Sequence, residues 1–194
     1  IFFKLGNIVM SSNGKIIFDE NIMNAIHKKA NPTLKNIMKF ITFFGSGRFY
    51  ISLGTILTIC FVRRKKYIEV SSLAMCSLGS YGLNELIKHY YRRIRPIKYF
   101  LIKQGGYSFP SGHAMVSMTF YSIFIYIYLR NKNWGKKKVL IWILNYLFIG
   151  LIGFSRIYLG VHWPTDVIGG YIIGLAFYLA VILIFELQYN KKEK

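Results

Sequence analysis

Between two strongly apolar segments lies the stretch Ser155 to Asp166, SRIYLGVHWPTD, which sets an arginine, a histidine and an aspartate close together. His162 and Asp166 are four apart, so a helix starting here puts both on one face. Pro164 is compatible with that helix, because the first turn needs no N–H from it. A carboxylate beside an imidazole fixes the ring's tautomer and stabilises its charged form, which makes the histidine an oriented nucleophile or base. Arg156 adds a planar, permanently charged fork suited to phosphate oxygens. Phosphoryl transfer is the chemistry these types fit, and it needs a second set of groups to hold the phosphate.

Two further stretches supply them. In Lys88 to Pro96, KHYYRRIRP, Lys88 offers a point charge and Arg95 a second fork. In Pro110-Ser-Gly-His113, Ser111 or its neighbour caps a helix, and Gly112 lets an anion approach the backbone. The first N–H groups of a helix are unpaired and carry the positive end of its dipole, so a phosphate binds there readily. His113 projects into the same place. Nucleophile and leaving-group acid must stand on opposite sides of phosphorus; His162 backed by Asp166 suits the first task and His113 the second.

The elements that position these residues read as membrane helices. Hydrophobic residues make up 54% of the 194, yet Lys+Arg 26 against Asp+Glu 7 gives a net charge of +19. A chain both apolar and strongly basic fits a membrane protein with cationic loops rather than a nucleic-acid binder. About five spans are expected, near 45–62, 67–91, 114–129, 139–154 and 167–185, the second less pure because it holds Asn84, Glu85 and Lys88. Ile1 to Met10 is too short to span and reads as the end of a truncated first helix or an interfacial segment. Asp19 is expected to cap a short helix, and Asn31-Pro32 to open another, both amphipathic and at the membrane surface. These assignments make one membrane domain over 1–194: a partial first helix and surface helices over 1–44, a helical core over 45–187 and a tail over 188–194.

If the spans alternate, the basic loops 63–66 and 130–138 and the tail fall on one side, which the positive-inside rule makes cytoplasmic. Residues 92–112 break that rule from the opposite side, and an anionic ligand is the obvious reason. There Arg92, Arg93, Lys98 and Lys103 read as an anion-attracting rim. Glu85 and Lys88 read as an ordinary helix pair, and His27 as a solvated surface residue. Cys60 and Cys76 have no metal-ligand spacing and read as small buried hydrophobes. The glycines at 169, 170 and 174 permit close helix contact.

Taken together, Lys88-x6-Arg95-Pro96, Pro110-Ser-Gly-His113 and Ser155-Arg156-x5-His162-x3-Asp166 resemble the three signature motifs of the type 2 phosphatidic acid phosphatase superfamily. That group includes membrane lipid phosphate phosphatases, glucose-6-phosphatase and soluble vanadium haloperoxidases. The resemblance implies an all-α, metal-independent membrane phosphatase of six helices in a bacterial plasma membrane, its active site extracytoplasmic. It implies that His162 is phosphorylated, Asp166 orients it, and His113 protonates the leaving oxygen. Lys88, Arg95, Ser111, Gly112 and Arg156 would hold the phosphate. Undecaprenyl diphosphate is the first substrate expected, followed by phosphatidic acid and phosphatidylglycerophosphate, with no cofactor and no nucleic-acid partner. A lipid phosphotransferase, a vanadate-dependent haloperoxidase and a non-catalytic binder of anionic lipid are the alternatives.

Overall fold

The computed structural model describes residues 1–12 and 14–192. Among these the chain forms nine α-helices and no strand: α1 (Phe2–Ser11), α2 (Ile17–His27), α3 (Pro32–Phe43), α4 (Gly47–Arg63), α5 (Tyr67–Ala74), α6 (Ser80–Tyr91), α7 (Gly112–Leu129), α8 (Lys136–Tyr158) and α9 (Pro164–Lys192). A π-turn, Met75–Gly79, joins α5 to α6, so 67–91 is helical throughout. It forms where the Cys76 carbonyl accepts from Thr119 Oγ1 (2.7 Å) and from Ser80 Oγ instead of serving only the helix ladder.

Among the described residues four stretches are long and apolar enough to cross a membrane: Pro32–Arg63, Gly112–Leu129, Lys136–Tyr158 and Pro164–Lys191. The protein is an integral membrane helical bundle. The expected second span, 67–91, is not among the four, because its charged and polar residues and the π-turn interrupt the apolar run. Two helices overrun their expected ends. Past Phe154, α8 continues through Arg156, and past Phe185, α9 continues through Glu186, which is paired with Arg130. Of the expected tail, 188–192 finish α9, and 193–194 lie outside the described residues.

The centre is α7, apolar on every face and buried at every position from Ala114 to Ile123 except the partly buried Met118, as such a helix must be. Tyr50, Leu73, Ile149, Ile152, Tyr178 and Val181 form the main core with its Phe120. At Gly170 an added Cβ would lie 2.6 Å from the Ser111 carbonyl, and at Gly174 2.8 Å from that of Met115, so these glycines let α9 and α7 meet backbone to backbone. The expected close-contact role of this stretch holds.

The two ends of the bundle differ. At one end lie loops 64–66 and 130–135, where Arg130 pairs with Glu186 and Tyr189 bonds Glu69. At the other, α2 and α3 pack onto α8 and the turn before α9. Asn31 caps α3 as expected, accepting from Leu34 N at 2.9 Å. Asp19 does not cap α2: Ile16 holds that position, and Asp19 lies inside the first turn, fully buried. Cys60 is exposed on α4, which departs from the buried expectation, while Cys76 is buried. His27 is half-buried rather than solvated, its Nδ1 on the Met23 carbonyl (2.8 Å) and its ring against Tyr99 (4.9 Å between centroids).

Candidate active site

Three backbone features bring the sequence-distant stretches together. Helix α6 closes at Arg92, in the left-handed region (φ 47°), and the chain turns so that Arg93 and Arg95 point inward. The 92–111 loop is pinned by Ser108 N–H to the Arg93 carbonyl (2.8 Å) and by Leu101 N–H to the Leu159 carbonyl (3.0 Å). Gly160 (φ 74°) makes the second contact possible, since a Cβ there would lie 1.8 Å from the Tyr99 carbonyl. Ser111 N–H donates to the Asp166 carbonyl (2.9 Å), fastening the start of α7 to the first turn of α9.

His162 sits in this junction, 2% exposed. Its Nδ1 lies 3.4 Å from Asp166 Oδ2, within ion-pair reach but longer than an ordinary N–H···O bond. The same Oδ2 accepts from Trp163 N–H (2.8 Å) and from Ser108 Oγ, whose oxygen is also 3.5 Å from His162 Nδ1. With Nδ1 on the carboxylate side, Nε2 is the free nitrogen, and Arg95 Nη1 stands 3.1 Å from it.

Nε2 faces a cavity of about 840 Å³ whose polar end is lined by Glu85, Lys88, Arg95, Gln104, His113 and Arg156. Lys88 Nζ pairs with Glu85 at 2.7 Å, the expected helix pair. Arg156 bonds Thr42 Oγ1 (2.8 Å) and Gln104 Oε1 (3.0 Å), with its Nε unpartnered among the described residues. Gly112 lines the cavity too. Ser111 lies just behind, at the N-cap position but making no capping bond; its buried Oγ has no partner among the described residues. His113 reaches the cavity beside Gly45, where a Cβ would come within 2.8 Å of its ring. Every site residue expected from sequence therefore lies in or directly behind one cavity. Arg95 is engaged more than expected: it also bonds the carbonyls of Gly105, Gly106, Tyr107 and Val161, so it builds the loop as well as facing the cavity.

One expectation is overturned. Arg93 is no rim residue: it is 3% exposed and ion-paired at 2.7 Å with both Asp19 and Asp166. A buried guanidinium requires such partners. Ser108, Gln104, Thr42 and Asn84 also belong to the site without having been signalled by spacing. Asn84 donates to the Pro110 carbonyl (3.3 Å) and borders Gly112.

Burial pushes the His162 ring down to about 3; Asp166 opposes this and the nearby arginines add to it. Arg95 is likewise lowered by burial, partly offset by Asp166 and Glu85. The His162 ring is thus neutral at ordinary pH, with a lone pair on Nε2. Between about 3 and the unfolded value of about 6.5, the unfolded chain binds more protons at His162 than the folded one does. The contribution of this residue is therefore complete above pH 6.5 and is lost as pH falls. Melting in detergent from neutral pH towards pH 4.5 should lower the wild-type midpoint more steeply than that of His162→Gln. Equal slopes would contradict the assignment.

The family model described as the PAP2 superfamily matches residues 69–190. Phosphatidylglycerophosphatase B of Bacillus subtilis is 31% identical over 183 residues, covering 93% of this chain and 90% of that one. An undecaprenyl-diphosphatase of Sulfolobus acidocaldarius is 30% identical over 163 residues, covering 81% and 73%. A crystal structure of a transmembrane PAP2-type phosphatidylglycerolphosphate phosphatase from Bacillus subtilis superposes with a TM-score of 0.79 at 28% identity, covering 100% of this chain and 96% of that one. With family model, relatives and fold in agreement, the chain belongs to the PAP2 superfamily and is a membrane-embedded phosphoric ester hydrolase.

Proposed function

We propose that this enzyme removes phosphate from a membrane lipid phosphate or diphosphate through a phosphohistidine at His162, on the extracytoplasmic face. The observation that carries the lipid reading is the shape of the cavity. From the phosphate end it continues between α4 and the α5–α6 helix, with Val116 of α7 behind it. The lining runs down α4 from Gly47 to Ile59, about 18 Å at 1.5 Å per residue. Ile51, Ile59, Leu78 and Tyr81 along it are exposed, so the groove opens on the bundle's flank, where a lipid tail lies in a bilayer. The relatives' names supply two headgroups to test first, phosphatidylglycerophosphate and undecaprenyl diphosphate.

In the first step His162 Nε2 attacks phosphorus, the bond to the leaving oxygen breaks, and His113 gives that oxygen its proton. In the second, His113 takes a proton from water as the water oxygen attacks phosphorus; the P–N bond breaks and phosphate leaves. Lys88, Arg95, Arg156, Ser111 Oγ and the Gly112 N–H stabilise charge on the equatorial oxygens. An incoming phosphate oxygen takes over the Arg95 N–H that rests on Nε2, so binding uncovers the nucleophile. Asp166 keeps Nδ1 protonated and stabilises the ring once phosphorylated.

The sidedness rests on charge. The loops rich in lysine and arginine lie at the end away from the site, which the positive-inside rule makes cytoplasmic. Arg93 and Arg95, two of the arginines in the 92–112 loop that breaks the rule, are buried in site contacts and are not free loop charges.

Phosphate release from a panel of lipid phosphates in detergent, with excess chelator, tests the activity. Release from lipids that survives chelation is expected; loss on chelation, or no release from any lipid by folded protein, would refute the reading. The groove is tested by Gly54→Leu, since at Gly54 a Cβ meets nothing nearer than Phe120 at 3.8 Å and the added side chain enters free space. Displacing about two buried methylenes of tail should raise KM for long-chain lipid roughly tenfold. Activity on a short water-soluble phosphate ester should stay the same; equal loss on both would place the tail elsewhere.

A further inference from the structure

The chain contains only two aspartates, Asp19 and Asp166, and both clamp Arg93. All three side chains are fully buried. Arg93 Nη1 donates to Asp166 Oδ1 (2.7 Å) and Thr165 Oγ1 (2.7 Å), and Nη2 to Asp19 Oδ2 (2.7 Å) and the Gly14 carbonyl (2.9 Å). Asp19 closes the circuit by accepting from Thr165 N–H (2.9 Å) and Thr165 Oγ1 (2.6 Å). Asp19 lies outside the residues that the family model matches, 69–190, and comes from α2.

We infer that Asp19 is a positioning residue of the reaction, which acts through Arg93 to set the charge and orientation of Asp166. The inference rests on His162 being the nucleophile. Because Arg93 takes Oδ1 of Asp166, Oδ2 is left for His162, Ser108 and the Trp163 N–H. Two carboxylates and one guanidinium leave a single net negative charge behind the imidazole. Without Asp19, Arg93 would neutralise Asp166 alone and that charge would vanish. The imidazole turns cationic only as the phosphoryl group transfers, so the loss falls on the transition state and not on substrate binding. Asp19 therefore affects kcat, and a mere clamp holding α2 onto α9 would affect stability.

The test compares Asp19→Asn, the double variant Asp19→Asn with Arg93→Gln, and His162→Ala, in kcat, KM and melting temperature. Asp19→Asn should lower kcat about 10- to 100-fold, the scale known for outer partners of metal-bound histidines and carboxylates, with KM within about twofold. The double variant restores one net negative charge and should be faster than Asp19→Asn. A double variant no faster than the single, or Asp19→Asn with kcat within twofold of wild type, overturns the inference. Should Asp19→Asn not fold, Thr165→Val and Thr165→Ser test the orientation instead: both retain the ion pairs, but valine removes the hydroxyl through which Asp19 steadies the Arg93 Nη1 that holds Asp166. Valine should lower kcat several-fold at unchanged KM and serine should not; indistinguishable valine and serine variants overturn it. Retained hydrolysis in His162→Ala would instead refute the reading of the nucleophile, so the two failures are distinct.

Discussion

Replacing His162 by alanine should abolish lipid phosphate hydrolysis, lowering kcat at least about 10⁴-fold, or ~5.4 kcal/mol of transition-state stabilisation. No other imidazole takes its place: among the described residues His113 lies on the cavity wall without a carboxylate partner, His89 is exposed with its Nδ1 on the Glu85 carbonyl, and His27 has its Nδ1 on the Met23 carbonyl. The variant should still fold, because Asp166 keeps Arg93, Ser108 and the Trp163 N–H when the ring is removed. Loss of activity with a retained melting transition then reports chemistry and not collapse. Rapid quenching of wild type with radiolabelled lipid should trap a phosphoenzyme that is labile to acid and stable to alkali, as a phosphoramidate is. His162→Ala should trap none. A variant that keeps more than about a hundredth of wild-type kcat would exclude covalent catalysis at this residue.

The sequence disclosed the site better than it disclosed the support of the site. Lys88, Arg95, Ser111, Gly112, His113, Arg156, His162 and Asp166 are legible because phosphate chemistry demands particular types at helix ends, and helix ends have local signals such as Pro164 and Pro110-Ser-Gly. Arg93 departs from its rim expectation for a physical reason. An arginine between Arg92 and Arg95 on a loop looks solvated, and only the long-range approach of Asp19 and Asp166 makes its burial tolerable. The available signal was scarcity: in a chain of net charge +19, each of seven carboxylates has many cations to choose from, and a buried one must be holding something. Ser108 carried no signal at all, because its partners are His162 and Asp166 more than fifty residues on. The α5–α6 helix reads as a span from its apolar content, and only the structure shows that its polar residues Glu85 and Lys88 stand at the polar end of the groove it lines.

The second large effect is expected at His113, and it should depend on the leaving group. The His113 ring makes no hydrogen bond among the described residues and lines the same cavity as His162. If it protonates the leaving oxygen, His113→Gln should slow phosphoryl transfer from a lipid alkyl phosphate about 10²- to 10⁴-fold, the usual worth of a placed general acid. A nitrophenyl phosphate, whose leaving group departs without a proton, should lose less than about tenfold in the same step. The following hydrolysis still needs His113 as base, so the phosphoenzyme should accumulate. Stopped-flow with nitrophenyl phosphate should accordingly show a burst of product equal to the enzyme present, followed by slow turnover. Equal loss for both leaving groups, with no burst, would assign His113 to holding the phosphate. The leaving oxygen would then need another proton donor, and Lys88, held by Glu85 at 2.7 Å, lines the same cavity.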